Sequence, residues 1–220
     1  MAESLGLTSE AYAFDNIVAG DYPIVSRSIE LITGQNLVKG TVIGRITMAV
    51  GAATKGAGDT GNGVPGAVTA GDAIKLGVYT LLCHDASVSG SEIFTVFDPD
   101  GVRLEDLTIA VAFSNAHFGI TIADGSVDFI VGDSFTITVA AGSLKYTQAL
   151  SASKDGSQLH KNMCILAKDT DATSADVTTT GWITGEYNEN SVTFGTGLTY
   201  ANCKYELAKY GIFLKESLSA

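Results

Sequence analysis

Residues 16–47 read NIVAGDYPIVSRSIELITGQNLVKGTVIGRIT. Two short β-like runs stand out, Ile24 to Ile32 and Leu37 to Ile46, joined by Gly34-Gln35-Asn36. In the first run Ile24, Ser26, Ser28 and Glu30 alternate with Val25, Arg27, Ile29 and Leu31. A period of two suits a half-buried strand. Gly34 and Asn36 tolerate the left-handed backbone that a chain reversal needs. The second run carries Gly40 and Gly44, which predicts bends or bulges rather than a flat ladder.

The bulk composition agrees with a β reading. The chain has 220 residues, 45% of them hydrophobic and 17% charged, with 25 Gly and 3 Pro. Abundant Gly, Thr and Val with few long amphipathic runs predict a mainly β protein. The formal charge of −11 repels phosphate, so direct binding to nucleic acid is not expected. No apolar run approaches the roughly 18 residues that would span a bilayer, so no membrane partner is expected. The start, MAESLGLTSEAYAF, has neither a basic region nor an apolar core and reads as no signal peptide. Cys83, Cys164 and Cys203 are an odd, widely spaced set and predict buried, reduced thiols.

Residues 1–15 are polar with scattered apolar anchors at Leu5, Leu7, Tyr12 and Phe14. By composition they form a frayed terminus; the functional alternative is an arm that orders on a partner. Gly51 to Gly71 is rich in Gly, Ala, Thr, Asp and Asn and reads as a flexible connector. Strand signals then return at Gly77–Cys83, Glu92–Phe97, Leu107–Phe113, Phe118–Ile122 and Ser134–Val139, separated by turn residues. These predict a β-sandwich or barrel-like module inserted at residues 51–142, entered near Val50 and left near Gly142. Beyond it, Asn162–Ala167, Gly181–Glu186 and Ser191–Phe194 read as strands, and Asp169–Asp176 as a polar loop. Thr199 to Lys209 is the best helix, with Thr199 as N-cap and Tyr200, Cys203, Leu207 and Tyr210 on one face. Gly211 ends it and Ile212–Leu214 closes the chain as a short strand.

The chemistry-bearing residues form no catalytic pattern. His84, His117 and His160 are far apart, and none has ligand neighbours at metal spacing. No G-x-S-x-G elbow or phosphate-cradling motif is present. Asp98-Pro99-Asp100-Gly101 reads as a turn, since Glu105 falls too early for a calcium loop. Trp182 and the module's aromatics read as core. The sequence therefore predicts no enzyme, no cofactor and no metal.

Two separated blocks resemble the head decoration proteins of tailed bacteriophages. The first holds Ala19-Gly20-Asp21-Tyr22-Pro23, Arg27 and Gly34-Gln35-Asn36-Leu37-Val38-Lys39-Gly40. The second runs from Leu150 to the end, with Asp155-Gly156-Ser157-Gln158, Ile165-Leu166-Ala167, Asp169, Asp171-Ala172-Thr173, Gly185-Glu186-Tyr187-Asn188 and Gly211-Ile212-Phe213. Their order, over about half the chain, carries the resemblance. It implies a β-rich, β-clip-like body from residues 16–50 and 143–220, with one C-terminal helix. It implies a homotrimer that sits on the major capsid protein of the expanded head and resists packaging pressure. Residues 1–15, with Ile17, would then be the capsid-gripping arm, and the protein would sit on the outer surface of the virion after synthesis in the host cytoplasm. The rival reading is a surface-displayed module that binds a receptor or glycan; a tail component is a further structural rival.

Overall fold

The structure is a computed structural model and describes residues 16–158 and 162–216. The first block forms β1 (Val25–Leu31), β2 (Gln35–Leu37) and β3 (Val42–Arg45). The middle forms β4 (Met48–Lys55), β5 (Val64–Pro65), β6 (Thr69–Ala70), β7 (Gly77–Asp85), β8 (Ile93–Phe97), β9 (Arg103–Thr108), β10 (Phe113–Ser114), β11 (Phe118–Ile120), β12 (Ile122–Ala123) and β13 (Ser134–Ala141). The last block forms β14 (Tyr146–Gln148), β15 (Cys164–Leu166), β16 (Thr170–Ala172), β17 (Val177–Asn188), α1 (Tyr200–Ala208) and β18 (Ile212–Lys215). The protein is mainly β with one helix near its C-terminus, as the sequence predicts.

The outer blocks build one sheet that closes on itself. Its order is β1-β14-β3-β15-β17, with β17 returning to β1 and β18 added in parallel beside the C-terminal half of β17. β17 is twelve residues long and serves several neighbours. Its first half pairs with β1, from Leu31 opposite Val177 to Val25 opposite Thr184. Ile165 and Leu166 of β15 pair with Trp182 and Gly181 on its other edge. Closure leaves those strands without free edges, which removes a route to aggregation.

The two runs of the opening stretch are not a hairpin. β14, from the far side of the insertion, lies between β1 and β3. Gly34 has the expected positive φ of 84°, but Asn36 sits within β2 opposite Asp171. The residues read as a polar loop after Asp169 thus supply β16, the partner of β2. The second reversal falls at Gly40, φ 86°. Ser191–Phe194 is not a strand either: a 3-10 turn covers Glu189–Ser191, and only Thr193 makes a bridge, to Thr41.

Two apolar clusters are buried on the two faces of this sheet: Ile29, Leu31, Ile43, Cys164 and Leu166 form one, and Val42, Ile165 and Tyr187 belong to the other. α1 lays Cys203 and Leu207 on the second of these. Thr199 caps the helix by accepting the Asn202 amide, while Asn202 Oδ1 accepts the Thr199 amide at 2.7 Å. Tyr210 departs from the expected face and is exposed, because the helix has ended at Ala208 before reaching it.

The middle segment has its own core. β4-β13-β7-β8-β9 form an antiparallel sheet, with the short ribbons β10-β11-β6 and β12-β5 beside it. Tyr79, Leu81 and Cys83 of β7 and Phe135, Ile137 and Val139 of β13 point inward in strict alternation. Phe94, Phe129 and Phe135 form an aromatic cluster with centroids 5.2 to 5.8 Å apart. Such contacts add about 0.5–1.5 kcal/mol per pair beyond burial.

Gly51 to Gly71 is not a loose connector. Its first residues lie in β4, paired with β13, and Gly61 and Gly63 are buried where a Cβ would strike Phe129. The glycines there permit close packing, which composition alone does not distinguish from flexibility. Leu107–Phe113 likewise splits: β9 ends at Thr108, and Ala110 turns the chain with φ 60°.

The two bodies are joined by a paired ribbon. The Gly142 amide donates to Thr47 O at 2.9 Å, and Met48 faces Ala141 at the start of the β4–β13 ladder. The crossing therefore falls at Thr47–Met48 and Ala141–Gly142, slightly ahead of Val50 on the way out.

Candidate functional site

The residues of the two resembling blocks meet along β17 and at the exit of the insertion. Ile17 to Pro23 runs beside the C-terminal half of β17. The Asn188 amide donates to Ile17 O at 2.8 Å, the Ala19 amide donates to Glu186 O at 2.9 Å, and the Thr184 hydroxyl donates to Pro23 O at 2.8 Å. Gly20 lies directly beneath the Glu186 carboxylate, and a Cβ there would overlap it. Glu186 pairs with Lys215 Nζ at 2.8 Å, and the Tyr22 and Asp21 amides also donate to it. Lys215 first, then those amides, hold its carboxyl below the usual range. Tyr22 is itself half exposed and stands edge-on to Phe213, centroids 4.9 Å apart.

The second junction lies at the Asp155-Gly156-Ser157-Gln158 turn. Asp155 O accepts the amides of Thr47 at 2.8 Å and Met48 at 2.9 Å. Its carboxylate accepts the Ser157 amide and hydroxyl, while the Gly156 amide donates to Gln158 Oε1 at 2.8 Å. Gly44 passes so close that a Cβ would strike the Ser157 backbone. Gly156 and Gly185 have positive φ, and the Gly185 amide donates to the carbonyl of Gly211, also at positive φ. Asp21, Tyr22, Pro23, Gly34, Gly40, Asp155, Gly156, Gly185 and Gly211 are thus scaffold positions that fasten one block to the other.

Of the expected arm, Leu5, Leu7, Tyr12 and Phe14 lie outside the described residues, as does His160. Ile17 is placed differently from the expectation. It is buried, 3% exposed, in the cluster that α1 covers, with Val42 and Tyr187. It anchors the segment in the body. Asn16, one residue earlier, is exposed and accepts the Ser191 hydroxyl at 2.6 Å.

Sequence reasoning missed a polar network on the middle body. The Tyr79 hydroxyl accepts the Lys75 amide at 2.8 Å and lies 2.9 Å from His117 Nδ1. Lys75 Nζ pairs with Asp100 at 2.7 Å and with buried Asp98 at 2.6 Å. Asp98 also accepts the Asp100 and Val102 amides, which makes the Asp-Pro-Asp-Gly segment the turn it reads as. Beside His117 an open cavity of about 380 Å³ is lined by Arg103, Leu104, Glu105, Asn115 and Ala116. Arg103 is held by Asp106 at 2.9 Å. The three thiols are buried; burial pushes Cys83 up to about 11 and Cys164 up to about 12. Among the described residues no group of three or more His, Cys, Asp and Glu is placed to hold a metal ion.

No protein-family model matches the chain, and no curated protein matches it. Among solved structures it is similar to two crystal forms of Xanthomonas campestris FlgL, in space groups H3 and C2. The identities are 17% and 18%, each with a TM-score of 0.32, over 50% and 49% of this chain. The chain spans about a third of those proteins' length, 33% and 32%. So loose a likeness supports no argument about fold or function.

Proposed function

We propose that this chain is a capsid decoration, or cement, protein. In this reading it binds as a homotrimer to the major capsid protein on the expanded phage head, on the outer surface of the virion. The observation that carries the reading is the contact between the two resembling blocks. Residues quoted for the resemblance touch one another across more than 100 positions of chain, as Gly20 does Glu186 and Gly40 does Leu166. Such contact supports the reading, because it requires both blocks to close into one body.

The physical logic is that of a clamp rather than a catalyst. The thiols are buried with raised pKa, and Tyr79 occupies His117 Nδ1, so these groups serve packing. An arm preceding Asn16 would pull on a segment tied to β17 by three hydrogen bonds and by buried Ile17. Backbone pairing of such an arm with a capsid strand gives affinity without a charged site. Three arms on one trimer would raise it further by effective concentration.

Mixing the purified protein with expanded and unexpanded shells, followed by imaging and light scattering, tests this. Trimers on expanded shells alone are expected. Leu5→Asp with Leu7→Asp should weaken binding by about tenfold or more, the loss of one apolar anchor each. A monomer that ignores both shells would end the proposal. The open cavity beside His117 favours a second reading, a displayed module that binds a receptor or glycan; a glycan array probed with the same protein separates the two.

A further inference from the structure

We propose that the end of the middle body farthest from the barrel is a docking surface for a polypeptide whose apolar patch is ringed by Lys and Arg. The strand registers define that end. β4 and β13 leave the barrel at Met48 and Ala141 and reach Lys55 opposite Phe135. At about 3.3 Å per residue that ladder carries its far end about 23 Å outward. Ser134 pairs with Leu82, and Asp85 pairs with Ile93, so the 86–92 loop lies at the same end. Three further contacts gather the remaining loops there. The Cys83 amide donates to Asp133 O, the Ala110 amide donates to Ile122 O, and Asp124 lies against Gly90.

This end is apolar where a free surface should not be. Val64, Val88, Val111, Val127, Ile130 and Val131 are exposed by 45% to 67%. They come from four separate segments that the fold brings together: β5 and the loops after β7, β9 and β12. Contiguous exposed apolar side chains with a polar rim mark an interaction site, whereas single ones scattered over a surface do not.

The charge around them selects the partner. Residues 48–141 hold eleven Asp and Glu against three Lys and Arg, whereas residues 16–47 and 142–220 together hold ten of each. The excess negative charge of the described chain therefore sits on the middle body. Arg103 is the only Lys or Arg between residues 76 and 144, and it belongs to the barrel-proximal end of β9. Lys55, at the far end of β4, faces buried Asp133. Among the described residues, Asp85, Asp124 and Asp128 thus rim the apolar end without a Lys or Arg ion pair. Such a rim repels anionic glycans, phospholipid headgroups and nucleic acid, and it steers a basic partner toward the patch. The inference stands apart from the capsid proposal, since it needs only the middle body.

The test uses the full chain and three immobilised peptides of equal length: alternating Leu-Lys, alternating Ser-Lys and alternating Leu-Glu. Binding to Leu-Lys, exceeding Ser-Lys by about tenfold, is expected. Hydrogen exchange should show protection confined to residues 62–65, 86–91, 109–112 and 124–132. Ile130→Ser with Val131→Ser should reduce binding by about tenfold, as should Asp124→Asn with Asp128→Asn. Glu105→Gln with Glu216→Gln removes the same charge elsewhere and should change it by less than about twofold. Equal losses from both charge pairs, protection elsewhere, or preference for Leu-Glu or for phosphatidylglycerol vesicles would each overturn the proposal.

Discussion

Gly20 packs against the carboxylate of Glu186, two residues that the chain separates by a whole folded body. The contact needs a glycine for space alone, since any Cβ would displace the carboxylate from Lys215 and from the amides of Tyr22 and Asp21. Gly20→Ala should therefore lower the melting temperature by about 3–10 °C, the range for overpacking in a chain of this size. Lys215→Met removes only a half-exposed partner and should shift it far less. Differential scanning calorimetry of both variants distinguishes close packing from ion pairing; equal shifts would refute the packing account.

Asp133 should be the acid-sensitive latch of the middle body. Its buried carboxylate accepts the amides of Gly61 at 2.9 Å, Thr60 at 3.0 Å and Ile130 at 3.1 Å. Burial works against its charge, but those three amides outweigh it and the carboxyl lies below its ordinary value. A depressed folded pKa gives stability that is present above the ordinary Asp value of about 3.9 and lost as pH falls through the folded value. Urea midpoints should be level from neutral pH to about 5 and then decline. Asp133→Ala strands three amides, should cost about 2–4 kcal/mol, and should flatten that decline.

The thiols give the opposite slope. Burial raises Cys83, Cys164 and Cys203, so each stays neutral in the fold at a pH where the unfolded chain ionises. Their contribution is complete below the unfolded value of about 8.5 and is lost as pH rises toward the folded values. Native protein at pH 8 should react with a thiol reagent at under about a hundredth of the rate seen in 6 M guanidinium, because labelling waits for opening. Rapid native labelling of even one thiol would contradict the burial described.

How much of this was legible follows from the range of each interaction. Alternation of Tyr79, Leu81 and Cys83 with exposed Val78 and Leu82 is a local signal, and β7 lies where the sequence puts it. Thr199 with Asn202 is equally local, and the helix starts there. β14 carries no such signal: three residues, Tyr146–Gln148, gain their strand identity only by lying between β1 and β3. Asn36 reads as a turn residue by intrinsic preference, yet pairing with Asp171 overrides it. Gly61 and Gly63 read as slack because sequence shows the missing side chain but not Phe129, which fills the space.

Excision of residues 48–141 asks whether the barrel depends on what it carries. Thr47 O and the Gly142 amide are already hydrogen bonded at 2.9 Å, so an Asn-Gly turn can join the cut ends. Every strand of the closed sheet lies outside the excised part, and so do both of its apolar clusters. The losses are the Met48 amide on Asp155 and the ion pair of Lys154 with Asp72, which lies at the surface. Closing the loop with two residues brings little entropic gain, because the folded middle body already holds its own ends together. The shortened chain should therefore melt in one cooperative transition, keep its strand signal in far-ultraviolet circular dichroism, and bind expanded shells as the full chain does. A shortened chain that is unfolded would make the insertion part of the barrel's folding unit, and one that folds but ignores shells would transfer the proposed function to the middle body.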